Sequence, residues 1–347
     1  MNPLYSILHL LVRITLPLYY KRIHVNGLEN VPTDKPILLA VNHQNAFLDG
    51  VLVAYKLKRQ IYFLTRSDVF KGKWAGKILR SMNLVPIYRS QDGTGVENNK
   101  EVFKWCYKAL QKNKPVLIFP EGTCEPHKHM FSLKKGMARI ALGAVETFPN
   151  MDLQVVPVAL NYSNHMDFRS TVWVDFAPPV SVKNIVQSCS SSGECVKLLT
   201  NKVEEQLRKI VLHIEKENYD MHNEIVTHNI EIYQPNCAAE LQKISKLERS
   251  EKQILSDHRR IQNVFSFFLL LIHRPLYYLI DKIAIKFTGK NEFFPSVKYA
   301  LLTLAFPLYW LVLSLSLFLC FHLTLVPMLV ITFSLPFSAA LGLMLRE

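Results

Sequence analysis

A chain of 347 residues can hold one large or two ordinary domains, and its 41 Lys and Arg residues against 28 Asp and Glu residues give a net charge of +13. Such an excess favours a negatively charged partner, whether nucleic acid, anionic lipid or a phosphorylated substrate. The sequence contains no zinc-ligand spacing, basic region with heptads or RNP-like aromatic block, so we predict no nucleic-acid partner and favour a membrane.

The first 22 residues predict a helix that lies in the membrane interface. Apolar residues recur at helical spacing over residues 4–20, but Arg13 interrupts the run and Pro17 lies near its end. The segment is too short to span a bilayer comfortably, and it has neither the basic start nor the cleavage site of a signal peptide. We expect Lys21 and Arg22 to face lipid headgroups.

Residues 23–180 predict an α/β domain with a mainly parallel sheet flanked by helices, because short apolar runs alternate with amphipathic stretches. The predicted strands are 37–41, 61–65, 85–88, 116–119, 155–160 and 171–176, and the predicted helices are 48–56, 74–82, 98–112 and 133–147. In such sheets ligands bind at the carboxyl ends of strands. His43, Arg89 and Glu121 all follow predicted strands.

The remainder predicts a helical region that ends in the membrane. Residues 181–262 are charged and polar and carry no catalytic signal. Residues 264–280 are apolar with His273, Arg274 and Pro275 in the middle, which predicts an interfacial segment over residues 263–297 or a kink. Residues 299–345 contain no Asp, Glu, Lys or Arg, so residues 298–347 predict a transmembrane helical hairpin with both ends on the cytoplasmic side. A buried core hairpin is the alternative.

The cysteines and the paired histidines give no metal or disulfide pattern. The six cysteines are scattered without a CxxC pair, so we expect reduced thiols in a cytosolic environment. His127 and His129 lie at alternate positions without a third ligand in sight. We therefore predict no metal site.

Two strand-end segments carry the chemistry. The apolar run 36–41 ends in Asn42 and His43, and Asp49 follows six positions after the histidine. A histidine at a sheet edge can accept a proton near neutral pH, and a carboxylate can fix its tautomer; a satisfied structural histidine is the alternative. The second segment, residues 119–123, reads Phe-Pro-Glu-Gly-Thr after the apolar run 115–118.

Together with residues 84–89 and 155–160, these segments resemble, in order and spacing, the glycerolipid acyltransferase family of lysophosphatidic acid and glycerol-3-phosphate acyltransferases. The resemblance covers residues 23–179. It implies transfer of a fatty acyl group from coenzyme A or acyl carrier protein to a hydroxyl of glycerol 3-phosphate or 1-acylglycerol 3-phosphate, without a further cofactor. The implied partners are membrane lipids, the acyl thioester and, for one donor class, acyl carrier protein. A lyso-aminolipid O-acyltransferase and a non-catalytic membrane lipid-binding protein that keeps the fold are the alternatives.

The resemblance implies His43 as general base and Asp49 as the group that orients it, with no acyl-enzyme, because the sequence has no GxSxG elbow. Arg89 has a planar fork suited to phosphate oxygens. Gly122 permits close backbone approach, and the Thr123 hydroxyl can donate to phosphate. Glu121 is expected to orient the arginine or to accept from the acceptor hydroxyl.

Two departures from the family pattern affect these expectations. Five residues separate His43 from Asp49 where four are common, so a turn near residues 45–46 is needed to join them; this spacing resembles a glycerol-3-phosphate acyltransferase branch that includes yeast-like enzymes. Many relatives have Arg or Ser after Glu-Gly-Thr, whereas this chain has Cys124. Lys134 or Lys135 is expected to replace the missing cation, with Lys135 the residue we assign to substrate binding.

Overall fold

The strands form one sheet, and its order decides which loops become neighbours. The computed structural model describes residues 3–57, 59–89, 96–217, 219–229, 270–289, 291–321, 334–336 and 339. The strands are Arg22–Asn26 (β1), Ile37–Val41 (β2), Tyr62–Arg66 (β3), Leu84–Ile87 (β4), Val116–Ile118 (β5), Gln154–Tyr162 (β6), Thr171–Phe176 (β7) and Val180–Ser181 (β8). Their order is β1-β7-β6-β2-β5-β3-β4, with β8 paired to β6.

The central strands run parallel. β2 pairs in parallel with both β5 and β6, and β3 pairs in parallel with β4 and β5, while β7 and β8 run antiparallel to β6. The carboxyl ends of β2, β5, β3 and β4 therefore meet at one edge of the sheet, which is where residues 42–49, 119–125 and 89 follow them. The predicted α/β fold with a mainly parallel sheet is confirmed.

Helices cover both faces of this sheet. They are Pro3–Tyr19 (α1), Ala46–Lys56 (α2), Lys73–Ser81 (α3), Asn99–Gln111 (α4), Gly136–Thr147 (α5), Val182–Gln187 (α6), Ser192–Ile210 (α7), Tyr219–Asn229 (α8), Arg274–Thr288 (α9) and Phe294–Phe321 (α10). One core cluster joins α4, α5, α6 and α7 to one face, and a second joins α1, α2, α9 and α10 to the other. Leu38 and Leu39 of β2, which point to opposite faces, are both fully buried.

The packed unit extends past the boundary that we expected at residue 180. Leu199, Val203 and Leu207 on α7 are fully buried in the same cluster as the strands β2 and β6. α7 is amphipathic, and its apolar stripe buries against the sheet and α5. Residues 181–210 thus complete the α/β unit, whereas residues 230–262 of the expected helical region lie outside the described residues.

The expectation of six free thiols is wrong at one pair. Cys189 and Cys195 form a disulfide, with their Cα atoms 5.4 Å apart. The turn between α6 and α7 brings the two side chains together, and a spacing rule based on CxxC does not detect such a turn. The three cysteines that are free in the described part of the chain are Cys106, Cys124 and Cys320.

The C-terminal part provides one long apolar helix. α10 is long and apolar enough to cross a membrane over residues 294–320, and 11% of its apolar window is buried. Its outward face exposes several large apolar side chains, Leu304, Leu308, Val312 and Leu319 among them. The second half of the expected hairpin falls mainly outside the described residues. At residues 273–275, where an interfacial segment or a kink was expected, α9 begins at Arg274 with Pro275 in its first turn.

Candidate active site

The loop after β2 is held in register by a side chain that imitates backbone. Asn42 is fully buried, and its amide nitrogen donates to the Leu160 carbonyl at 3.0 Å while its amide oxygen accepts from the Leu160 N–H at 2.7 Å. This pair continues the β2–β6 pairing by one step after the strand has ended. His43, the next residue, therefore leaves the sheet from a fixed position.

The turn that the His–Asp spacing requires is present at Ala46. This residue has φ of +40°, in the left-handed region that side chains other than glycine rarely adopt. The turn directs the chain into α2, so that Asp49 lies in the first turn of that helix and faces back to His43. His43 Nδ1 and Asp49 Oδ2 are 2.8 Å apart, which confirms the expected hydrogen-bond distance.

Asp49 is fully buried and is surrounded by donors. Its Oδ2 accepts from the backbone N–H groups of Gln44 and Asn45, each at 2.8 Å, in addition to the imidazole. Its Oδ1 accepts from the Tyr162 hydroxyl at 2.5 Å. Since an ionised carboxylate only accepts, His43 Nδ1 must carry the proton, and Nε2 keeps its lone pair. The imidazole is 19% exposed, which leaves it accessible to a substrate.

The Phe-Pro-Glu-Gly-Thr loop packs directly on His43. The Phe119 and His43 rings stack with their centroids 3.8 Å apart and an angle of 12° between their planes. Glu121 is 1% exposed, and its carboxyl group accepts from the backbone N–H of His43 at 3.3 Å and from that of Phe131 at 3.1 Å. Glu121 thus joins the loop after β2 to the connection between β5 and α5, and its expected contact with Arg89 or with an acceptor hydroxyl stays a prediction.

Burial sets the protonation of Glu121. Removal from water raises the pKa of Glu121 to about 8, although the two backbone N–H donors act to lower it. The nearby Asp49 carboxylate contributes in the same direction as burial. With a pKa of about 8, the Glu121 carboxyl group holds its proton at neutral pH, in contact with the backbone N–H of His43.

The predicted phosphate-binding residues lie on the neighbouring strands. Arg89 follows β4 and donates from its guanidinium to the Gly122 carbonyl at 3.3 Å, so the structure brings it to the Glu-Gly-Thr loop as expected. Gly122 has φ of +70°, and a Cβ there would lie 3.3 Å from Lys134 Cγ. Both the backbone conformation and the close lysine stem require glycine at this position. Thr123 is half-buried beside it.

Lys134 and Lys135, which we expected to replace the cation missing at position 124, lie in different places. Lys134 lies along the loop, because its stem contacts Gly122 and its N–H donates to the Pro120 carbonyl at 2.7 Å. Lys135 is exposed and immediately precedes α5, where its carbonyl accepts from the Arg139 N–H. A substrate-binding role for Lys135 stays a prediction, and Lys134 is the lysine in contact with the loop.

Cys124 supports the turn at Ala46. Its Sγ accepts from the N–H of Ala46 at 3.2 Å, so the residue that departs from the family pattern contacts the residue in left-handed conformation. Burial, and then the charge of Asp49, raises the pKa of the Cys124 thiol, which remains protonated at neutral pH.

One arrangement within the described residues could be considered for a metal ion. His43, Asp49 and Cys124 offer ligand atoms that lie within 4.8 Å of one another. However, Asp49 Oδ2 already accepts three hydrogen bonds and the thiol is protonated, so these groups fit an oriented imidazole better than a metal site.

Sequence reasoning missed three residues that contact this site. Tyr162 ends β6, where a tyrosine after an apolar run was a usable signal that we did not follow. Cys124 was noted only as a departure from the family pattern, without a contact assigned to it, and Ser296 gave no signal. Ser296 belongs to the first turn of α10, and its hydroxyl lies between the Asn45 carbonyl and the Leu48 N–H, at 3.2 and 3.1 Å.

Comparisons with known proteins give one family model and several relatives. The family model described as Acyltransferase matches residues 22–161. Glycerol-3-phosphate O-acyltransferase 1 of Saccharomyces cerevisiae is 28% identical over 115 residues, which are 32% of this chain and 15% of that protein. The chloroplastic 1-acyl-sn-glycerol-3-phosphate acyltransferase LPAT1 of Arabidopsis thaliana is 31% identical over 143 residues, which are 41% of this chain and 36% of that protein.

A solved structure was also found. The 1-acyl-sn-glycerophosphate acyltransferase from Thermotoga maritima aligns with a TM-score of 0.43 at 20% identity, over 60% of this chain and 78% of that chain. The present chain spans well under half the length of the two curated relatives described above.

Proposed function

We propose that the chain, whose residues 22–161 match the family model described as Acyltransferase, transfers a fatty acyl group from an acyl thioester to a hydroxyl of a glycerol phosphate. The observation that carries the proposal is the 2.8 Å contact between His43 Nδ1 and Asp49 Oδ2, beside the Glu121 loop. It presents the free Nε2 lone pair of a partly exposed imidazole at the edge where parallel strands bind ligands.

The chemistry follows from that lone pair. An alcohol attacks a thioester slowly unless a base removes its proton during the attack. His43 Nε2 takes the hydroxyl proton while the oxygen forms a bond to the thioester carbonyl carbon, and Asp49 stabilises the resulting imidazolium. The carbon–sulfur bond then breaks, and the proton passes from Nε2 to the leaving thiolate, so that the products are an ester and a thiol.

Charge near the base favours a phosphorylated acceptor. Arg89 donates to the Gly122 carbonyl and so lies against the loop that packs on His43. The neighbouring Arg66 binds Asp68 through two hydrogen bonds of 2.7 and 2.5 Å, which lowers the pKa of that carboxyl group. A phosphate at this edge of the sheet would thus meet two guanidinium groups and one carboxylate already neutralised by a partner.

α10 supports a membrane location for the proposed activity. Its first turn contacts residues 42–49, the catalytic loop of the proposed mechanism, through Ser296. Its outward face exposes apolar side chains. We place the chain in a membrane through this helix, with α1 in the interface and the active site on the cytoplasmic face. Lipid acceptors and products would then enter and leave from the bilayer beside the site.

Two acceptors are to be distinguished. The His–Asp spacing and the Saccharomyces relative favour glycerol 3-phosphate, and the Arabidopsis relative favours its 1-acyl derivative. We take glycerol 3-phosphate first, with acyl-coenzyme A and acyl carrier protein as the two donors to compare.

The test is a transfer assay on purified protein in detergent. Labelled palmitoyl-coenzyme A is offered with glycerol 3-phosphate, 1-acylglycerol 3-phosphate and a lyso-aminolipid in turn. We expect one glycerol phosphate to be acylated, and His43→Ala to lower turnover at least ~10²-fold because the base is lost. His24→Ala, at the far edge of the sheet on β1, is the matched control. A folded His43→Ala protein with near wild-type turnover would refute the role of the imidazole.

A further inference from the structure

Ser296 is the one described residue of α10 whose hydroxyl bonds to the catalytic loop. Its side chain is 5% exposed, and it belongs to a helix that lies far outside the matched family domain. The hydroxyl donates to the Asn45 carbonyl at 3.2 Å and accepts from the Leu48 N–H at 3.1 Å. The Leu48 N–H also donates to the Asn45 carbonyl at 3.0 Å. The Ser296 hydroxyl, the Asn45 carbonyl and the Leu48 N–H are therefore joined pairwise by three hydrogen bonds, which form a closed ring.

That ring closes around the residues that place Asp49. The Asn45 N–H donates to Asp49 Oδ2, and Leu48 immediately precedes Asp49 in the helix. Ala46 lies inside the ring in its left-handed conformation, which a relaxed chain would leave. A change in the Asn45–Leu48 turn therefore moves the carboxylate relative to the imidazole.

We propose that Ser296 is a positioning residue for the His43–Asp49 pair, through which the apolar helix α10 fixes the geometry of the active site. The inference rests on the proposed acyl transfer. A hydroxyl suits the position because it donates and accepts at once. An alanine would leave the Asn45 carbonyl without that donor in a buried place, whereas a threonine retains the hydroxyl.

The same helix provides a matched control. Ser314 is also buried, at 1% exposure, but its hydroxyl donates to the Trp310 carbonyl one turn back in α10. Ser314→Ala removes a buried serine hydroxyl from the same helix without touching the catalytic loop. Its effect measures what loss of such a hydroxyl does to α10 alone.

The experiment compares Ser296→Ala, Ser296→Thr and Ser314→Ala in the transfer assay across pH. We expect Ser296→Ala to lower kcat about tenfold, which is the scale of one lost buried hydrogen bond. The KM for palmitoyl-coenzyme A should stay within about twofold, because the proposed role concerns the His43–Asp49 pair and not the binding of the donor. The acidic limb of the pH–rate profile should shift, Ser296→Thr should recover most of kcat, and Ser314→Ala should match wild type.

A second readout does not depend on activity. In protein labelled at histidine nitrogen, the Nδ1 proton of His43 should give a low-field NMR resonance that Ser296→Ala shifts or broadens and Ser314→Ala leaves in place. If wild-type protein transfers no acyl group but the resonance responds in this way, the proposed function fails and the positioning role stands. Wild-type kcat, pH profile and resonance in Ser296→Ala would overturn the inference. So would an equal loss in Ser296→Thr with the resonance unchanged, since it would indicate packing alone.

Discussion

Removal of the Tyr162 hydroxyl tests the carboxylate that orients the base. Tyr162 and Asp49 are both fully buried, and the hydroxyl donates to Asp49 Oδ1 at 2.5 Å. Burial, and then the charge of Asp49, raises the pKa of Tyr162 well above its ordinary value of 10, so the phenol remains a donor at every working pH. Tyr162→Phe keeps the ring and deletes only this donor.

The expected size of the effect follows from the charge of the acceptor. A hydrogen bond to an ionised group contributes about 1.5–3 kcal/mol, so Tyr162→Phe should lower the free energy of unfolding by roughly that amount. Asp49 keeps its three donors on Oδ2, and the orientation of His43 should largely survive. A carboxylate with one donor fewer is more basic and stabilises the imidazolium more. The acidic limb of kcat/KM should therefore move up by about half to one pH unit.

The assay combines denaturant unfolding in detergent with kcat/KM measured from pH 5 to 9. Tyr299→Phe is the control, because it removes a buried tyrosine hydroxyl whose partner is the neutral Thr15 at 2.7 Å. It should reduce stability without moving the pH profile. If Tyr162→Phe leaves the acidic limb where it is, or shifts it no further than Tyr299→Phe does, the reasoning about Asp49 is refuted.

Two further predictions concern the neighbouring loops. Arg89→Ala should raise KM for the phosphorylated acceptor roughly 10- to 100-fold, the scale of a charge-assisted hydrogen bond, and affect KM for the acyl donor much less; equal rises in both, or a similar rise in the exposed Arg80→Ala, would count against a phosphate role. Glu121, with its pKa raised from 4.5 to about 8, binds its proton more tightly in the folded than in the unfolded protein, so its contribution to stability is greatest below pH 4.5 and is lost as pH rises through about 8. Thermal unfolding in detergent should show this fall between pH 5 and 8 in wild type and in the exposed-site variant Glu146→Gln, and a flat profile in wild type would contradict it.

Local patterns were enough to predict the centre of the fold. The strands at residues 37–41 and 171–176 have the predicted bounds, because both runs are rich in the aliphatic and aromatic residues that favour a buried strand. β1 was missed because Arg22–Asn26 mixes charged, polar and apolar residues over only five positions. It joins the sheet by pairing with β7, and this partner is remote in sequence.

The residues of the candidate site also divide into those that the sequence could indicate and those that it could not. His43, Asp49, Glu121 and Arg89 could be found because they follow predicted strands or lie close together in sequence. Tyr162 and Ser296 are separated from the residues that they bind by 113 and about 250 positions. Such contacts depend on how β6 pairs with β2 and on where α10 begins, and a single sequence contains neither piece of information.

Two features of the chain depart from the family pattern, the additional residue between His43 and Asp49 and the cysteine at position 124. The structure explains the first with the help of the second. An additional residue between His43 and Asp49 would turn the carboxylate away from the imidazole if the segment were a regular helix. The chain absorbs it in the left-handed Ala46, a conformation that costs about 1–2 kcal/mol in a residue with a Cβ. The Ala46 N–H then donates to the Sγ of Cys124, the residue that follows Glu-Gly-Thr and departs from the pattern implied by the resemblance. Because the thiol bonds to the turn itself, the unusual cysteine and the unusual spacing act together to hold Asp49 against the base.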